Sequence, residues 1–282
     1  MKAGLSIIST ICEKNRDTNR AKIFEWEAHA KTLPQLDIPV IHALHGEMYA
    51  REIVIPKGTV LTGDIYKFDH FDIMVSGDIT VSTDSEEPIR LKGFNFLKGM
   101  SGKKRAGFAH EDTHWITIHP YSGETGDEVQ KMITAESFDD LAKFNVEVNN
   151  ADYLNLINEL GMTHEEVESQ VKNEADMLED DHEKNQCDNL EINRSPINGL
   201  GVFALDALNI GDVICHARIE GKRTKYGRYS NHALFPNSEL IFNGEELIFI
   251  AKKQIFPGEE VTVNYRDLLK TRFEEGDLLC QE

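Results

Sequence analysis

Apolar positions at helical spacing among charges over residues 11–32 (Ile11, Ala21, Ile23, Phe24, Trp26, Ala28, Ala30) predict a surface helix that stops near Pro34. The texture changes after Leu36. Short or alternating apolar runs at 53–55, 73–75, 79–81 and 115–118 lie between clusters of Gly, Pro, Asp and Ser, and predict a compact all-β domain. Helical spacing returns over 134–178, first with Phe138, Leu141 and Phe144, then with Tyr153, Leu154, Ile157 and Leu160. Thr163 followed by Glu166 is a capping-box pattern that opens a further helix carrying Val167 and Val171. After Asn189 the β texture resumes through Tyr265, followed by a charged tail. The expectation is a mainly β chain in four parts: a helical extension (1–35), a β-barrel (36–133), an acidic helical connector (134–189) and a second compact β domain (190–282).

Composition supports folded domains, since 40% of the 282 residues are apolar and 28% charged. The formal charge of −19, from 30 basic and 49 acidic residues, argues against sequence-independent binding to a phosphate backbone, so no nucleic-acid partner is expected. Ten acidic residues and one lysine (Lys172) lie between Glu159 and Glu183. That run reads as a solvated helix face and linker, with a surface for a basic partner as the sharper alternative. Four scattered cysteines (Cys12, Cys187, Cys215, Cys280) form no C-x-x-C pair, which excludes a zinc knuckle or disulfide framework and suits a reducing cytosol. No apolar run approaches the roughly 20 residues needed to cross a bilayer, and the apolar start lacks a cleavage-like site. A soluble, cytoplasmic protein without a membrane partner is expected.

Four motifs follow one another in the C-terminal part: Gly199-Leu200-Gly201-Val202-Phe203-Ala204, then Gly211-Asp212-Val213-Ile214, then Arg228-Tyr229-Ser230-Asn231-His232 running to Pro236-Asn237, then Gly258-Glu259-Glu260-Val261-Thr262-Val263-Asn264-Tyr265. Alone, the G-x-G is a tight β turn, without the third glycine and helix of a dinucleotide fingerprint. In order, the four motifs resemble the SET-domain protein lysine methyltransferases. That resemblance implies a compact SET-like β fold in which the C-terminal segment threads a loop near the Asn-His pair, and S-adenosylmethionine as cofactor. It implies Gly199 and Gly201 at close approach to the cofactor, Asn231 and His232 holding its amino-acid and adenine portions, and Tyr265 as catalytic tyrosine. Tyr229 is a second candidate lining the channel, Arg228 a candidate partner for the cofactor carboxylate, and Phe273 a candidate cover for the cofactor. The competing readings are a core or rim tyrosine at 229, a strand-edge charge at 228, a buried hydrogen-bonded histidine at 232 and a buried strand tyrosine at 265. Three features depart from the pattern: Ala233 where a serine is usual, only 16 residues (215–230) between the second and third motifs, and no cysteine cluster after Tyr265.

Residues 36–120 resemble small cupin-like double-stranded β-helix proteins of tailed bacteriophages, on the run from Tyr49 to Gly63, Gly77 to Val81, and Gly102 to His119. The resemblance implies His70 and His110 as candidate ligands of a divalent metal, with Asp72 as an oxygen ligand and His114 and His119 nearby. No H-x-H pair is present, so a structural, oligomerising or ligand-sensing barrel without metal stands beside this reading.

The functional expectation is methyl transfer from S-adenosylmethionine to lysine side chains of a protein, by a phage-type protein acting in the host cytoplasm. A homodimer is a plausible way to complete the short substrate groove. Two other classes stay open: a non-catalytic binding or structural protein with two β interaction domains, and a metal-dependent cupin enzyme.

Overall fold

The structure is a computed structural model that describes residues 2–12, 16–84, 87–121, 123–171, 174–179, 182–183, 186–244 and 246–267. It is mainly β, and the chain divides into two compact units, Met1–Ala142 and Lys143–Glu282. The four expected parts thus fall into two: the N-terminal helices join the first β domain, and most of the acidic connector joins the second. Among the described residues no helix is long and apolar enough to cross a membrane.

Two helices open unit 1, α1 (Lys2–Ile11) and α2 (Arg16–Ala30), where a single helix over 11–32 was expected. The apolar start is itself helical because it has a partner: Ile8 and Ile11 pack with Ile23 against Ala106 and Phe108. Gly4 makes this possible, since a Cβ there would lie 2.5 Å from the Phe108 ring.

The strands follow as β1 (Val40–His45), β2 (Met48–Ile55), β3 (Val60–Thr62), β4 (Ile65–Tyr66), β5 (His70–Ser76), β6 (Asp78–Val81), β7 (Ile89–Lys92), β8 (Asn95–Gly99), β9 (Ala106–Ala109) and β10 (Thr113–His119). One antiparallel sheet has the order β1-β2-β10-β5-β8 and a second the order β3-β9-β6-β7. Their shared core is built from both, with Ile53, Ile55 and Met74 from the first and Ile79, Val81, Leu91 and Ala109 from the second. Cross-strand register stacks the inner face of the larger sheet in rows: Ile53, Trp115 and Met74, then Arg51, Thr117, Asp72 and Leu97. Tyr49 and His119 pair in the next row, and both are fully buried. The face therefore passes from apolar to polar to aromatic along the strands.

Helix α3 (Gly126–Ile133) begins with a capping box between Thr125 and Glu128, and closes over Tyr49 and Tyr66 with Val129 and Ile133. It is followed by β11 (Thr134–Ala135), which pairs with β4, and by the long α4 (Phe138–Glu159). The predicted capping box at Thr163 is present, Thr163 N donating to Glu166 Oε2 (2.7 Å) and Glu166 N to Thr163 Oγ1 (3.2 Å), at the start of α5 (His164–Val171).

Unit 2 continues with β12 (Leu190–Arg194), β13 (Leu200–Ala204), β14 (Val213–Ile219), β15 (Lys222–Arg223), α6 (Lys225–Tyr229), β16 (Asn231–His232), β17 (Ser238–Asn243), β18 (Glu246–Ala251) and β19 (Glu260–Val263). Its two sheets have the orders β12-β13-β19-β16 and β15-β14-β18-β17. Alternation on β18 sends Leu247, Phe249 and Ala251 into a core shared with Val202, Ile214, Ile255 and Val261. The last strand is inserted between β13 and β16, and runs parallel to β16 with Asn231 opposite Thr262 and His232 opposite Val263.

Gly77 is the single residue between β5 in one sheet and β6 in the other. Its φ is +112, and a Cβ there would lie 2.6 Å from the Asp112 carbonyl oxygen. Gly77→Ala therefore combines backbone strain with a clash against main chain, and is expected to lower the unfolding free energy of unit 1 by about 2–3 kcal/mol. Gly46→Ala, at φ +59 with open space around it, carries strain alone and costs about 1–2 kcal/mol. Both tryptophans (Trp26, Trp115) lie in unit 1, so denaturation followed by tryptophan fluorescence reads the difference. Equal losses at the two positions refute the packing argument.

Candidate functional site

Three of the four C-terminal motifs meet at Glu260. A Cβ on residue 201 would collide with its carboxylate, so glycine at that position lets β19 bring Glu260 against β13. Asn231 Nδ2 donates to Glu260 Oε1 (2.7 Å) and contacts the Leu200 and Asn198 carbonyl oxygens (3.0 and 3.1 Å), while Ser195 Oγ donates to Glu260 Oε2 (2.8 Å). Burial pushes the Glu260 pKa up, opposed by the bonds from Asn231 and Ser195. The Pro236-Asn237 end of the third motif is tied to the same strand: Asn237 Nδ2 donates to Glu260 O (2.8 Å) and Asn237 Oδ1 accepts from Thr262 N (2.8 Å).

His232 is 4% exposed and uses both ring nitrogens. The backbone N–H of Tyr265 donates to Nδ1 (3.1 Å). An amide can only donate there, so the proton of the neutral ring sits on Nε2, which donates to Asp152 Oδ2 (2.9 Å). Burial lowers the His232 pKa and the Arg266 charge adds to this, against the opposing pull of Asp152. Arg266 Nη1 also donates to Asp152, and Asn149 of the same helix accepts from Leu234 N (2.9 Å). Both residues come from the part of α4 in unit 2, one turn apart on that helix.

The Tyr265 hydroxyl donates to the Ser230 carbonyl oxygen (2.9 Å), and burial holds its pKa above the ordinary phenol value. Its ring lies 5.1 Å from that of His232 and edge-on to Tyr153 at 6.4 Å, Tyr153 also coming from α4. Tyr229, the second candidate for the channel, packs against the core of the unit under the Arg228 guanidinium (5.5 Å). Tyr265 packs against the same core, and among the described residues no ring contact joins the two tyrosines. Helix α6 lies against β13 and β14, and Gly227 permits the approach, since a Cβ there would collide with the Ala217 carbonyl oxygen. Gly199 has φ +51 and no atom within 4 Å of an added Cβ, so its backbone faces open space. Phe273 and Cys280 lie outside the described residues.

The sequence thus places Gly199, Gly201, Asn231, His232 and Tyr265 in one region of the fold, with Arg228 on the neighbouring helix. It misses Asn149, Asp152 and Tyr153, whose helix carries no motif, and Ser195. Glu260 stands within a quoted motif, yet nothing local marks it as the residue that joins the others.

The histidines of unit 1 are not assembled into a metal centre. His110 Nε2 is hydrogen-bonded to Thr80 Oγ1 (2.8 Å) beside Phe108, at the end of β9 in the smaller sheet, whereas His70 lies on β5 in the larger one. His70 Nδ1 bonds the Phe68 carbonyl oxygen (3.1 Å) and its Nε2 lies 3.6 Å from Asp72. His114 Nε2 pairs with Glu52 (2.7 Å), and His119 is stacked on His70 at 4.7 Å. Among the described residues no three His, Cys, Asp or Glu side chains are grouped to hold a metal ion. His70 and His110, expected as metal ligands, thus stand in different sheets, each with a hydrogen-bonded protein partner.

Among solved structures, the chain is similar to a cupin superfamily protein from Desulfitobacterium hafniense (13% identity, TM-score 0.27), over 32% of this chain and 83% of that one. It is also similar to an ectoine synthase from P. lautus (15% identity, TM-score 0.30), over 36% of this chain and 76% of that one. A third similarity is to a putative histone methyltransferase from Plasmodium falciparum (18% identity, TM-score 0.25), over 28% of this chain and 95% of that one. No curated protein matches. The SET domain family matches residues 53–266, entering at Ile53 the segment that was expected to be cupin-like, so the family shown for that segment is not the cupin one. With that span covering more than half of the sequence and holding every converging motif, the chain belongs to the SET domain family.

Proposed function

We propose that unit 2 transfers a methyl group from S-adenosylmethionine to a lysine side chain of a protein. The observation that carries this reading is the double anchoring of Tyr265: its backbone N–H is seated on His232 and its hydroxyl on Ser230 O. With its proton committed to that carbonyl, the phenolic oxygen presents lone pairs to an incoming amine N–H. Burial keeps the phenol neutral, so it accepts and orients without becoming a base. Alignment of a neutral amine, rather than activation of a nucleophile, is what methyl transfer needs most.

The residues present fit the cofactor. The open backbone at the left-handed Gly199 admits a closely approaching ligand, and the half-buried Arg228 guanidinium, on the helix packed against β13, matches a carboxylate. When bound, S-adenosylmethionine supplies a methyl group made electrophilic by its sulfonium. Gly199 and Arg228 are the groups that would hold it. Asn231 and His232, whose side chains are spent within the protein, hold the loop and the tyrosine in place. The excess of acidic residues favours a lysine-rich protein substrate.

Transfer of a labelled methyl group to lysate proteins is expected to fall about 100-fold in Tyr265→Phe, with calorimetric binding of S-adenosylmethionine retained. Undiminished transfer by that variant overturns the role given to Tyr265, and failure of the folded wild type to bind the cofactor overturns the function. Asn231→Ala leaves a buried carboxylate short of its donor, and is expected to cost about 1–3 kcal/mol in stability as well as cofactor binding.

The lowered pKa of His232 also fixes a pH dependence. The unfolded chain takes up the proton at the ordinary value of about 6.5, the folded unit only below it, so stability is full above about pH 6.5 and declines as the pH falls beneath it. Protonation would set an Nδ1–H against the Tyr265 amide. The ring resonances of His232 are expected to titrate with a midpoint below the ordinary histidine value, and a midpoint at or above it contradicts the lowered pKa.

A further inference from the structure

Unit 1 holds a half-open cavity of about 200 Å³, lined from both of its larger sheets, that the methyl-transfer chemistry leaves unused. Ile53, Ile55, Leu61, Ile79 and Val81 line it as an apolar body, while Arg51, Lys103 and Arg105 bring three cations to the same space. Two carboxylates also line it, and both are engaged. Asp64 accepts from Gln130 Nε2 (2.7 Å). Asp72 accepts from Trp115 Nε1 (3.1 Å), and its other oxygen lies 3.6 Å from His70 Nε2 and 4.0 Å from Arg105 Nη1. Arg105 is thereby partly matched.

Arg51 and Lys103 have no carboxylate in direct contact among the described residues. Both are half-buried, and neither side chain has a hydrogen bond or ion pair among the described residues. Arg51 stands in register with Thr117, and Thr117 with Asp72, so a full strand separates the guanidinium from the nearest carboxylate of that row. Burial lowers the Lys103 pKa and the like charge of Arg105 lowers it further, against the weaker pull of the Asp84, Asp72 and Asp69 carboxylates. Retaining half-buried cations without partners is costly, and an anion placed between them removes the cost. No metal-ligand cluster competes for the space among the described residues.

We propose that this cavity binds a small organic carboxylate, its charged end between Arg51 and Lys103 and its hydrocarbon body against the isoleucine and valine wall. The volume lies below the roughly 300–1,000 Å³ of drug-sized sites, which restricts the ligand to a few carbons or a single ring. An inorganic anion would satisfy the cations and leave the apolar wall empty. A neutral molecule of the same shape would do the reverse.

The test titrates the full-length protein calorimetrically with benzoate, benzamide and inorganic sulfate. Benzoate is expected to bind saturably and to raise the Lys103 pKa seen by NMR, with neither comparison compound matching it. Arg51→Met and Lys103→Met are each expected to weaken benzoate at least tenfold. Should one variant fail to fold, the other and the Lys103 titration still decide. Equal binding of benzamide, binding of sulfate alone, or no saturable benzoate binding by the wild type overturns the proposal. Tyr265→Phe is expected to leave benzoate affinity unchanged, which separates this site from the methyl-transfer reading.

Discussion

The carboxylate of Glu260 fills the space that a side chain on residue 201 would need, and the candidate site of unit 2 hangs on that close approach. A buried carboxylate is tolerable only where donors meet it, and Asn231 and Ser195 supply them. The glycine of the first motif, the asparagine of the third and the glutamate of the fourth are thus one physical unit. Changing any of them leaves another with a clash or an unmet polar atom. Because Glu260 opens β19, fixing it fixes the strand, and the strand carries Tyr265 just past its end to the ring of His232. The placement of the tyrosine is in this sense a consequence of packing at position 201.

Two buried histidines in the chain show how differently imidazole is accommodated. His232 has a donor on one nitrogen and an acceptor on the other, so its tautomer is dictated and it serves as a rigid spacer between α4 and the segment after β19. His119 is fully buried with neither nitrogen hydrogen-bonded, and is stacked among His70, Tyr49 and Tyr66, where burial drives its pKa down to about 3. There the ring acts as a flat packing element held neutral by its surroundings. The first arrangement specifies geometry for a neighbouring group; the second fills a layer beneath a polar one.

The β texture, the Thr163 capping box and the four C-terminal motifs were legible because each is written in neighbouring residues. The helix over 2–11 was not, since its reason for forming is Phe108, a hundred residues away, and the capping box of Thr125 and Glu128 was overlooked although its letters are as plain as those of the second. His70 and His110 share a segment and a residue type, but the chain changes sheet at Gly77, and proximity in sequence says nothing about which sheet a residue joins. Asp152 meets His232 across eighty positions with no motif around it. Long-range partners of this kind are fixed by the fold alone, so a sequence names the histidine and leaves its acceptor unknown.

The net charge of the chain and that of the side chains lining the unit 1 cavity have opposite signs, and distance decides which governs a small ligand. The net charge of −19 is spread over the surface, where salt screens it within about 8 Å at physiological ionic strength. Arg51 and Lys103 act at contact range inside a partly desolvated cavity, where the effective dielectric is far lower than in water. A small anion would be slowed by the surface field only over that short range, and would then meet cations that have no hydrogen bond or ion pair among the described residues. The sign of the overall charge therefore does not set the sign of the field that a small ligand would meet in the cavity.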